Sequence, residues 1–129
     1  MDGPLEALLD QVRAGGAGTS RQDAARVAQR VLGVLGAHLD GGARADLALV
    51  LPYPCGLILA DAPPADEPLA TEDFIREAAG DVSDPVAARR AVTAVLAAVA
   101  DVTDDALLRR MLAGLPPGHA VLFGRMEPA

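Results

Sequence analysis

Tryptophan is absent from this 129-residue chain, cysteine occurs once, and the aromatic rings amount to Tyr53, Phe74 and Phe123. Lysine and asparagine are missing too. Each shortage excludes something. One cysteine rules out a disulfide scaffold and any Cys-x-x-Cys metal or redox motif. The cations are 11 arginines set against 18 acids, a formal charge of −7, and they are scattered from Arg13 to Arg125. Phosphate binding draws its affinity from clustered cations that displace counterions, so nucleic acid and an anionic membrane surface are not the expected partners. No window reaches the ~18 uninterrupted apolar residues of a membrane span; the nearest, 48–60, is broken by Pro52 and Pro54. Met1-Asp2-Gly3-Pro4 lacks the positive-then-apolar pattern of a signal peptide. The expectation is a cytoplasmic protein.

What the chain has in abundance is alanine, its commonest residue, in a composition that is 51% hydrophobic. Alanine has the best intrinsic helix propensity, and with so few rings the interior must be built from Ala, Leu and Val. The apolar content is too high for a disordered segment. A length of 129 residues suits a single domain over 1–129.

Sliding the chain along itself until Leu51-Pro52 lies on Leu115-Pro116 brings much else into line without a gap. Ala24, Val27, Ala28, Val31, Leu32 and Leu35 fall on Ala88, Ala91, Val92, Val95, Leu96 and Val99. These positions trace the i, i+3, i+4, i+7 stripe of an amphipathic helix. Ser20 falls on Asp84 and Asp40 on Asp104, all good N-cap residues. Identical pairs between 21–59 and 85–123 are few; caps, stripe and Leu-Pro joints carry the match.

Each half then reads as four helices. The first pair covers about 4–14 and 71–79, with Leu5, Leu8, Leu9 and Val12 inward in one and Phe74, Ile75 and Ala78 in the other. Thr71 is expected to cap the second, while Gly15-Gly16 and Gly80 stop the two helices. Long helices follow at about 21–39 and 85–101. Third helices at about 42–51 and 104–115 present Leu47 and Val50, and Leu107, Met111 and Leu115, to the core. A residue before proline is pushed out of helical geometry, so Leu51 and Leu115 end these helices and Pro52 and Pro116 start the next. The fourth helices carry Leu57, Ile58 and Leu59, and Val121, Leu122 and Phe123. The expected fold is all-α: about eight helices in two four-helix repeats, 4–60 and 71–125, related by a pseudo-twofold and joined by a linker at 61–70. Gly33 and Gly36 align with Ala97 and Ala100, so the two long helices are expected to cross there. A leucine at Gly33 would then overpack the crossing.

The segment VLGVLGAHLDGGARADLALVLP, with its second version AVLAAVADVTDDALLRRMLAGLP, resembles the prokaryotic family of domain of unknown function 2267. The resemblance covers about Leu5 to Arg125. It implies two tandem copies of a helical unit and carries no assigned activity, so it speaks to fold and not to function.

Chemistry-bearing residues are sparse. Cys55 and His119 are equivalent in the same alignment of the two halves, yet a structural zinc site wants four ligands at short spacings. Cys55 reads as a small buried hydrophobe and His119 as an exposed helix-start residue. The glycine runs at 15–18 and 41–42 follow no strand and lack the lysine of a phosphate loop. Asp101, Asp104 and Asp105 cluster where helix-start capping explains them, and the ligand ladder of a calcium loop is missing. No cofactor is expected, and no convergent set of titratable groups marks an enzyme. Arg26 and Arg90 occupy equivalent places in the two repeats. They read as ion-paired on the flanks of the long helices, for instance with a carboxylate of a neighbouring helix, or, more sharply, as anion- or partner-binding arginines related by the pseudo-twofold. Leu49, Val50, Leu51, Leu57, Ile58 and Leu59 near Tyr53 exceed what short helices need inside, and surplus apolar surface marks interfaces. The expected function is a non-enzymatic interaction or regulatory module for a protein partner or its own copy, with Arg26, Arg90, Tyr53 and Leu57 as contact residues. The alternative is a carrier or sensor of a small apolar ligand bound between the repeats.

Overall fold

The computed structural model describes residues 4–15, 20–63, 69–80, 82, 84–115 and 122–123, and each regular element of four or more residues among them is a helix. α1 spans Pro4–Ala14, α2 Arg21–His38, α3 Gly41–Val50, α4 Tyr53–Asp61, α5 Thr71–Ala79, α6 Pro85–Val102 and α7 Asp105–Ala113. The eighth helix, expected around 121–123, and His119 lie largely outside the described residues. Leu122 and Phe123, which are described, are fully buried.

The expected caps form. Ser20 Oγ accepts from the Asp23 N–H at 3.1 Å, Asp40 Oδ1 from Ala43 at 2.8 Å and Asp104 Oδ1 from Leu107 at 2.7 Å. Each such bond satisfies an amide the helix leaves unpaired and contributes about 1 kcal/mol. Pro85 is the first residue of α6, behind Asp84. At α5 the N-cap position belongs to Ala70, so Thr71 opens the helix instead of capping it. Glu72 and Asp73 still sit in its first turn, at the positive end of the dipole. Leu51 is extended (φ −77, ψ 157) as its following proline requires. Pro52 then takes the N-cap position of α4, one residue before the helix starts. Gly80 closes α5 at φ 64, a left-handed geometry suited to glycine, with the Arg30 side chain laid across it.

The two long helices are both 18 residues and pack on each other. α1 lies against α2 and α6, and α5 against α6 and α2. α4 fills the space between α2 and α3, while α3 also meets α7. One apolar cluster runs through all seven helices, with Leu9, Leu32, Leu35, Leu47, Leu96 and Met111 among its sealed members. Both phenylalanines are completely buried in it, Phe74 from α5 and Phe123 near the end of the chain. The result is compact and all-helical.

The expected crossing at Gly33 and Gly36 is corrected by the packing. A Cβ on Gly33 would meet nothing within 4 Å, so that glycine lets no helix approach. A Cβ on Gly36 would stand 2.7 Å from the Leu59 carbonyl oxygen and 3.0 Å from the Ala62 Cβ. The small residue therefore admits α4, and not α6. Gly56 of α4 does the same toward α3, where a Cβ would stand 2.5 Å from the Ala48 carbonyl oxygen. Two glycines thus clamp α4 between α2 and α3. Val50, expected inward, lies outside.

Candidate functional site

The closeness of α3 to α4 shapes the most distinctive surface. The Leu51-Pro52 joint folds the end of α3 directly into α4, burying Leu51, Cys55 and Leu59. A helix this short cannot bury every apolar residue of the run 47–60, which holds no charge at all. Leu49 is left 86% exposed, Tyr53 78%, Leu57 45% and Val50 44%. Tyr53 and Leu57 are four apart on α4 and so share a face; Leu49 and Val50 end the helix that feeds into it. Ile58 is half-buried. Four large apolar side chains between Leu49 and Leu57 are thus left in solvent within nine residues of chain.

The two arginines stand elsewhere. Arg26 is exposed on α2, its guanidinium 3.9 Å from Asp23 of the same helix, a loose pair with no neighbouring helix involved. Arg90 makes no ion pair among the described residues. It lines an open groove of about 560 Å³ with Glu72, Pro85, Val86, Arg89 and Thr93, where Arg89 pairs with Glu72 at 3.3 Å. Tyr53 and Leu57 belong to one patch, and Arg26 and Arg90 to other helices.

Cys55 is buried, and burial raises its thiol above the ordinary range. It borders a half-enclosed pocket of about 170 Å³ among α1, α2 and α4, with Leu9, Ala28, Pro54 and Ile58 on the walls. At the rim Arg21 Nε donates to both Glu6 carboxylate oxygens at 2.8 Å. That bond holds the Glu6 carboxyl below the usual carboxylate range and raises Arg21. Among the described residues, no three His, Cys, Asp or Glu side chains are grouped to hold a metal, and no helix is long and apolar enough to cross a membrane.

Two side chains that sequence reasoning passed over tie the segment between α4 and α5. Arg44 of α3 donates to the Ala62 carbonyl at 2.9 Å. His38, the last residue of α2, lies 2.8 Å through Nδ1 from the Val34 carbonyl and receives the Leu69 N–H on Nε2 at 3.1 Å. Its ring meets Phe74 edge-on, with centroids 5.5 Å apart. The only signal in the sequence was a polar residue at the end of an apolar helix, which by itself names no partner.

The fold and this face define an all-helical protein with exposed apolar side chains at a helix joint, in a stretch of sequence without charge. A family model described as an uncharacterized conserved protein (DUF2267) matches residues 5–122. The chain belongs to that family. No curated protein matches it.

Proposed function

We propose that this chain is a non-enzymatic interaction module, a single domain of two four-helix copies that binds a protein partner or its own copy through the α3–α4 patch. The carrying observation is the joint exposure of Leu49, Val50, Tyr53 and Leu57 in a run without charge. Apolar clusters of this kind are costly to leave in water and mark binding surfaces, and tyrosine is enriched at the centre of such surfaces. Arg26 and Arg90 stand on α2 and α6, away from α3 and α4, so the reading rests on the apolar patch and gives the two arginines no part in it.

The two-copy architecture is supported by the way helices pair. α2 and α6 begin at Arg21 and Pro85, which the alignment of the halves makes equivalent; they have equal lengths and touch. α1 meets α6 as α5 meets α2. Asp46 and Arg110, equivalent at the same offset, meet each other at 2.7 Å. Residues equivalent under a twofold meet only at its axis, so the pairing agrees with an axis running between α3 and α7.

The test is a Leu49→Ser, Tyr53→Ser double variant compared with wild type by sedimentation over a wide concentration range and by cross-linking in the native host. Wild type should associate, with cross-links mapping to 49–57. The variant should lose that association and keep its melting temperature. Equal association of both proteins, or a wild type that stays a monomer without cross-links, overturns the reading.

A second reading follows from the pocket beside Cys55, whose volume suits a small apolar molecule. It lies among helices of the first half and not between the halves as the sequence suggested. Native mass spectrometry separates the two: an added mass lost on denaturation favours a carrier, and bare protein as a dimer or with a second chain favours the module.

A further inference from the structure

We propose that His38 is a proton-operated joint between the end of α2 and the entry to α5. Both of its ring partners are backbone groups, and that fixes the chemistry. A carbonyl can only accept, so Nδ1 carries the hydrogen and donates it to Val34 at 2.8 Å. An amide N–H can only donate, so Nε2 offers its lone pair to Leu69 at 3.1 Å. The imidazole is therefore neutral and in the Nδ1–H tautomer. Adding a proton at Nε2 sets a donor against a donor and breaks the link to Leu69. The bond to Val34 survives, because it lies within the last turn of α2, where the helix dipole favours a cation.

What would be released matters to the fold. Leu69 immediately precedes Ala70, the N-cap position of α5, which offers no side-chain cap hydrogen bond. α5 packs on both long helices, and its Phe74 touches the His38 ring. The charged groups on the elements around the ring are otherwise engaged or exposed. Arg30 of α2 donates to the Glu77 carbonyl, Asp40 accepts from the Ala43 amide, and Arg44 holds Ala62. On α5, Asp73 pairs with Arg76 and Glu72 with Arg89, while the Glu77 side chain is exposed, as is Asp61 at the end of α4. Among the described residues none of these charges bonds to the imidazole. Val102 holds the place equivalent to His38 in the second half, where no imidazole can repeat the joint.

The test uses the intact chain. The imidazole nitrogen shifts are read by NMR from pH 7.5 to 5, together with hydrogen exchange at the Leu69 amide, corrected for its intrinsic rate. Expected are the Nδ1–H tautomer at pH 7.5 and a fall of about tenfold or more in Leu69 protection as the ring takes up its proton, since a lost hydrogen bond opens the amide locally. The Leu39 amide, bonded to Leu35 within α2, should keep its protection. In His38→Gln, whose side-chain oxygen can accept but not titrate, the pH dependence at Leu69 should vanish. An Nε2–H tautomer, a ring that takes up no proton in this range, or Leu69 protection unchanged through the titration overturns the proposal. The wild-type measurement decides even if the variant fails to fold.

Discussion

Gly36 of α2 lies under the carbonyl of Leu59 in α4, so close that a methyl group on it would stand 2.7 Å from the oxygen. Three residues earlier Gly33, on the same helix, faces open space. The two glycines look alike in sequence and should behave oppositely. Gly33→Ala should stabilise by up to about 1 kcal/mol through helix propensity. Gly36→Ala should destabilise by roughly 1–3 kcal/mol through overpacking against backbone. Urea unfolding of both variants checks the pair.

Gly56 should be equally intolerant, because its neighbour is the Ala48 carbonyl and backbone cannot swing away as a flexible side chain can. Gly56→Ala should cost about 1–3 kcal/mol and should also disturb the exposed patch, since Tyr53 and Leu57 flank it on α4. Thermal unfolding and the chemical shifts of Leu49 and Tyr53 would show both effects.

The Cys55 thiol should react slowly with a neutral thiol reagent in the folded protein and rapidly in denaturant, because it is buried and its proton is held. The sign for stability follows. A thiol raised in the folded state gives its full contribution below the unfolded value, and that contribution is lost as pH rises through the folded one. A stability curve that climbs above pH 9 through this group would contradict the assignment.

Glu6 should titrate below ordinary glutamates, and Arg21→Gln should return it to the usual range. The carboxyl is lowered in the folded state, so its contribution is present above the unfolded value and disappears as pH falls through the folded one. Arg21 is exposed and Glu6 partly so, and added salt should therefore shrink the shift. Side-chain carbonyl NMR at low and high salt measures it.

Replacing Phe74 with alanine should cost about 3–5 kcal/mol, the range for a large side chain emptied from a sealed core. In a chain with three aromatic rings little else could refill that volume. Chemical denaturation of Phe74→Ala beside wild type gives the difference.

Much of the fold was legible because its signals are local. Ser20, Asp40 and Asp104 cap because a short polar side chain reaches an amide three residues ahead, and Leu51 ends α3 because a proline follows. The stripe from Ala24 to Leu35 is buried as its period requires, apart from the half-buried Val27. Gly33 and Gly36 were misread because helix periodicity states that a small residue faces something without naming the neighbour. That neighbour, α4, is brought there by the turn at Pro52. Val50 was misplaced for a related reason: periodicity puts it near the face of Leu47 but does not say how far a neighbouring element covers the last turn of α3. The surplus of apolar residues around Tyr53 was visible, but which of them remain in water depends on α4 being clamped. His38 gave no sign of its role, because both of its partners are backbone groups.

The ion pair between Asp46 and Arg110 has a historical consequence on the two-copy reading. A dimer of identical subunits must place the same side chain on both sides of its axis, and two aspartates or two arginines there would repel. Opposite charges at that spot are open only to two copies free to diverge, as copies joined in one polypeptide are. This contact would therefore be younger than the duplication itself, and a separated half, paired with a second molecule of itself, would have to reinvent it.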